Sequence, residues 1–169
     1  SGTIPGQTNG ALVAFTILAT DAAAVSATNR YPAWGRTSEC LVRFGDTNLA
    51  GEFGSYRIWI ANTNYTVWAA QRMVAAGAYD HSASTRSDEP FSVTFVYDGL
   101  RAVYEAGARY RGNWRNYNGP LGSTACSYSA MLPKQERILG DTELKIDMVG
   151  PWDGDSTLLS EEHCWWMLA

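Results

Sequence analysis

The sequence predicts a β-rich α+β domain with many loops and a mainly antiparallel sheet. Three observations carry this reading. Short apolar segments alternate with polar residues, Asp98-Gly99 sits between two such segments, and only one alanine-rich stretch has a helical rather than a strand-like pattern. Hairpin-length connections outnumber helical crossovers, and strands joined by short turns pair antiparallel.

Taken in order, residues 1–10 are rich in Gly, Thr, Pro and Asn and read as a linker-like segment, with a single globular domain over residues 11–169. Residues 11–19 are apolar except at Thr16 and predict one buried strand, followed by a turn or short helical start at residues 21–26. Tyr31-Pro32-Ala33-Trp34-Gly35 reads as a loop. Residues 40–44 and 56–60 alternate and predict half-buried strands, and Asn62-Thr63-Asn64 reads as a break. From Tyr65 to Ala78 the alanines favour a helix ending near Gly77. Residues 79–90 form a polar loop before a strong strand at 91–97. Asp98-Gly99 then supplies the hairpin signal, with residues 100–105 returning. Residues 107–122 read as a loop, residues 125–132 and 142–149 as strands, and residues 150–155 as another loop before an aromatic C-terminal run.

With 169 residues, 46% hydrophobic and 18% charged, the chain has the composition of one folded domain. A net charge of -4 excludes a protein whose main partner is bulk nucleic acid. Its 7 Trp, 9 Tyr and 5 Phe exceed what a core of this size needs, which places some of them on a contact surface. Cys40, Cys126 and Cys164 allow at most one disulfide and no CxxC site, so a reducing compartment is the simpler expectation. No apolar run has the length of a membrane span or the flanks of a signal peptide. GxGxxG, P-loop, HExxH and GxSxG motifs are absent, and Asp153-Gly154-Asp155 lacks the glycine position and the bidentate Glu of a calcium loop. No metal or cofactor is expected.

Two groups of residues remain as candidates for chemistry. The chain has 2 His. His163 lies between Glu162 and Cys164, where neighbours on a strand face opposite ways, and reads as a packed or terminal residue. His81, beside Ser82 and ahead of Asp98, completes the residue types of a serine nucleophile, its base and an orienting carboxylate. The competing reading makes Asp98 a turn residue that tolerates positive φ, with His81 and Ser82 as solvated loop residues and Asp80 as a rival acid. The second group is basic and aromatic: Arg101, Arg109, Arg111 and Arg115 interleave with Tyr104, Tyr110, Trp114 and Tyr117. Tyr110, Arg111, Trp114 and Arg115 are the binding candidates, since arginine and aromatic side chains dominate recognition hot spots. The alternative is a loop pinned inside the domain by contacts between arginines and the acidic segment that begins at Glu136.

The Asp80-His81-Ser82 loop followed by Asp98 in Val-Tyr-Asp-Gly resembles the protruding domain of an iflavirus capsid protein, as do the chain's length, linker-like start, odd cysteine number and aromatic-rich loops. The resemblance implies a central antiparallel sheet flanked by short strands, helices and long loops. It implies a module made in the host cytoplasm and carried on the virion surface for host-cell attachment and penetration. Its partners would be the rest of the capsid protein, neighbouring capsid subunits, and a host receptor, glycan or membrane. It also implies a hydrolase of lipase, esterase or protease type in which Asp98 orients His81 and His81 deprotonates Ser82. A spike with a purely structural role is the third reading.

Overall fold

In the computed structural model, the described residues are 2–33, 38–47, 55–70, 89–99, 101–111 and 127–146. Among them the chain forms, in order, β1 (Leu12–Phe15), β2 (Ile17–Thr20), β3 (Thr28–Tyr31), β4 (Cys40–Arg43), β5 (Tyr56–Trp59), α1 (Asn62–Ala70), β6 (Phe91–Tyr97), β7 (Arg101–Tyr110), β8 (Tyr128–Met131) and β9 (Glu143–Ile146). The result is β-rich, with one short helix and every pairing antiparallel. Strands β5 to β9 form one sheet in sequence order, while β1 pairs with β4 and β2 with β3 as separate two-stranded ribbons.

The hairpin between β6 and β7 organises the main sheet. Asp98 and Gly99 both take positive φ, 53° and 65°, as the dipeptide requires, and Tyr97 pairs with Arg101 across the turn. Further along, Phe95 pairs with Val103 but Val93 pairs with Ala106, so Tyr104 and Glu105 together oppose Thr94. This is a β-bulge on β7, and one extra residue reverses which face the following side chains occupy. Val103 faces the core before it; Ala106, Ala108 and Tyr110 face the core after it.

That core face collects Val93 and Phe95 from β6, Ala130 from β8, and Leu132 and Ile138 beyond β8, with Ile58, Leu144 and Ile146 packed alongside. Helix α1 covers it through one large side chain. Trp68 is 2% exposed and lies 5.6 Å from Phe91, 5.3 Å from Tyr110 and 5.7 Å from Tyr128, measured between ring centroids. One turn earlier, Asn64 Nδ2 donates to Ser92 O at 3.3 Å and fixes the helix along β6. The opposite face of the sheet meets β4, where Leu41 N donates to the buried Thr94 Oγ1 at 3.0 Å. The ribbon is closed beside Gly45, whose φ of 76° suits glycine and whose missing Cβ leaves room for the Asn9 side chain.

Several expected elements differ. Residues 11–19 are not one buried strand: the chain breaks at Thr16 and its two halves join different ribbons, with β2 exposed along its whole length. A two-stranded ribbon offers no second layer to bury it. Asn62-Thr63-Asn64 is the first turn of α1 rather than a break, because Asn and Thr suit the unpaired N–H groups of a helix start, and Tyr65 N already donates to Ala61 O at 2.9 Å. The expected helix end near Gly77 lies outside the described residues. The expected loop from Gly107 begins late: β7 runs on to Tyr110, since Gly107 and Ala108 are paired on both sides and pairing outweighs their weak strand preference.

Cys40 is a free, fully buried thiol, and burial followed by the nearby Glu105 charge pushes its pKa up to about 11 from 9.0, against a smaller opposing effect of Arg30. The folded state holds this proton more tightly than the unfolded chain, so the associated stability is complete below pH 9 and is lost as pH rises toward 11. Denaturant unfolding between pH 8 and 11 should therefore show falling stability, and Cys40→Ala should fall less steeply over that interval. Trp68→Ala removes the side chain that joins the helix to the sheet and should cost about 3–5 kcal/mol in the same assay.

Candidate functional site

The two expected sites and one unexpected surface lie at different places on this framework. Asp98 occupies the β6–β7 turn with its backbone in the left-handed region. Its carboxylate Oδ1 accepts from Ser55 N at 2.6 Å, and its own N–H donates to Ser55 O at 2.7 Å. Asp98 thus closes the turn and clamps the start of β5 to it in both directions. His81 and Ser82 lie outside the described residues, as does Asp80; among the described residues Asp98 has the turn role.

The basic and aromatic candidates divide. Tyr110 is corrected from a loop residue to a core residue: it is 3% exposed at the end of β7 and its ring packs on Trp68. The reason is the bulge, which turns Ala106, Ala108 and Tyr110 inward together. Arg111 follows the strand, half-buried, with its N–H donating to Ser127 O at 3.0 Å. Trp114 and Arg115 lie outside the described residues, together with Tyr117. Arg101 is pinned within the domain, donating to Glu136 Oε2 at 2.7 Å and to Arg137 O at 2.6 Å. Tyr104 meets Phe15 of β1 edge-on, with ring centroids 5.6 Å apart, and so joins the β1–β4 ribbon to the sheet.

The surface that sequence reading missed is the β2–β3 hairpin. Ile17, Leu18 and Val25 are exposed, Leu18 to 64% and Val25 to 89%. The connecting residues Ala22, Ala23, Ala24, Val25, Ser26 and Ala27 carry no charge. Asp21, at the base, holds the loop in shape: its Oδ1 accepts from Ala27 N at 3.0 Å and from Ala23 N at 3.3 Å. The hydroxyls of Thr20 and Thr28 lie 2.9 Å apart and close the hairpin. A shaped turn that presents aliphatic side chains to water is a contact surface in form, since a flexible linker would not retain its own hydrogen bonds. The signal was present in the sequence, where the apolar run passes into a charged turn former, Asp21, and three alanines before Val25.

Among the described residues, no three His, Cys, Asp or Glu side chains converge as a metal site, and no helix is long and apolar enough to cross a membrane. The fold and these surfaces define a β-rich, antiparallel domain with a projecting apolar hairpin. No protein-family description, curated protein or solved structure matches the chain.

The turn role of Asp98 is separable from catalysis by substitution. Asp98→Asn keeps both an acceptor and tolerance of positive φ and should cost less than about 1 kcal/mol, whereas Asp98→Ala loses both and should cost about 2 kcal/mol. Equal losses in the two variants by thermal unfolding would remove the clamp from the account.

Proposed function

We propose that this chain is a virion-surface protruding domain of a capsid protein, and that it serves host-cell attachment. The observation that carries the reading is the hairpin of β2 and β3, which holds Ile17 and Leu18 of β2 and Val25 of the turn in water. Exposure of aliphatic side chains at this density is unfavourable for an isolated surface and becomes favourable when a partner covers them. A β-rich domain with an antiparallel sheet is also compatible with the iflavirus resemblance, which supplies the virion context.

The hydrolase reading through Asp98, His81 and Ser82 rests on their residue types and on that resemblance. Asp98 Oδ1 already serves Ser55 N, so a catalytic role requires His81 to use the carboxylate's remaining acceptor sites. Attachment is therefore the function favoured here, with ester or amide cleavage as the subordinate alternative.

Binding of the fluorescently labelled chain to host cells tests the proposal. Leu18→Asp and Val25→Asp should each reduce bound protein by about tenfold while leaving the thermal midpoint within about 3 °C, because exposed positions contribute little to folding. Trp114→Ala serves as the comparison for the other expected surface. Wild-type binding by both hairpin variants would overturn the assignment of attachment to this hairpin.

A further inference from the structure

A second site lies beyond the end of β3. Ala33, Glu105, Met131, Leu132 and Pro133 line a cleft of about 400 Å³, within the range of pockets that hold small ligands. We infer that this cleft binds an organic cation, a primary alkylammonium, with its charge on Glu105 and its hydrocarbon body against Met131, Leu132 and Pro133. This reading is independent of the attachment hairpin.

The bulge on β7 creates the site. Without the extra residue, Glu105 would fall on the face occupied by Val103 and would bring a charge into the core; with it, Glu105 turns to the opposite face. Gly107, two residues on and on that same face, is the register partner of Met131, so no side chain stands between Glu105 and Met131 along that diagonal. Glu105 Oε1 accepts the N–H of Ala33, which positions the carboxylate at the cleft wall. Among the described residues its second oxygen has no hydrogen-bond partner, and an ionised carboxylate has lone pairs for several donors.

Among the described residues, Glu105 forms no ion pair. The Arg30 guanidinium, one of the charges near Cys40, donates to Pro32 O at 3.2 Å and to Ser38 O at 2.5 Å. Lys134 is exposed beside Pro133, and Glu136 is taken by Arg101. The Glu105 charge is felt nearby: after burial, it is the next cause that raises Tyr31 and Cys40 above their ordinary values. One carboxylate among otherwise apolar described lining residues suits an ammonium on a hydrocarbon chain. A sugar would need an aromatic platform and several planar polar groups, and none is among the described lining residues.

The same chemistry reaches the cleft either as a free small amine or as a lysine side chain of a partner peptide. Titration of the full chain with n-hexylammonium, n-hexanol and Nα-acetyl-lysine methylamide, followed by calorimetry, separates these sources. Hexylammonium should bind with a dissociation constant of about 1 mM or tighter, and hexanol at least about tenfold more weakly. Tighter binding of the lysine derivative than of hexylammonium assigns the site to a peptide, and the reverse to a free amine. Glu105→Gln keeps an acceptor for Ala33 N–H but removes the charge and should weaken hexylammonium binding about tenfold or more. Met131→Phe, which narrows the cleft and leaves the charge, should weaken it as well and covers the case in which Glu105→Gln does not fold. No hexylammonium binding, equal binding of hexanol, or undiminished binding by the folded variants would each overturn the inference.

Discussion

The pairing of β6 with β7 decides the placement of nearly everything else in the domain. It is nucleated locally by Asp98 and Gly99, whose positive φ values match the twist of the strands they join. It then runs through a bulge at Tyr104 and Glu105 that no turn dictates. Because side chains alternate strictly along a strand, that single extra residue determines that Tyr110 enters the core, that Tyr104 reaches Phe15, and that Glu105 meets Ala33 and the cleft.

The two faces of the sheet are held by different physics. On one, Trp68 stacks among Phe91, Tyr110 and Tyr128, so apolar burial and ring geometry attach the helix. On the other, polar contacts dominate: Thr94 bonds to Leu41, Glu105 bonds to Ala33, and Arg30 reaches Pro32 and Ser38. The Thr94–Leu41 contact is buried and costly to leave half-made, so it specifies the position of β4 against the sheet. The candidate surfaces sit where that second face ends, at the projecting hairpin and at the cleft beside Glu105.

Asp98 shows how one residue type supports two readings until its partners are known. Downstream of His81 and Ser82 in the sequence it completes the residue types of a catalytic set, and in space its carboxylate closes a turn onto Ser55. Arg101 follows the same course, since its interest as a binding residue gives way to an ion pair with Glu136 inside the domain. An exposed pair of this kind contributes at most about 1 kcal/mol, so its effect is to order the connection between β8 and β9 rather than to hold the fold.

Local chemistry determined the strand at Phe91–Tyr97, the turn after it, the alternating segments that became β4, β5, β8 and β9, and the antiparallel character of the whole. These were legible because alternation and turn preference act over a few residues. The extent of β7, the inward turn of Tyr110, the exposure of Ile17 and Leu18, and the cleft at Glu105 were decided by tertiary structure. Each depends on a partner distant in the chain: β8 extends β7, Thr94 defines the bulge by opposing two residues, and the absence of a second layer leaves β2 in water. An apolar run carries the tendency to be buried, but only the packed chain determines whether anything is there to bury it.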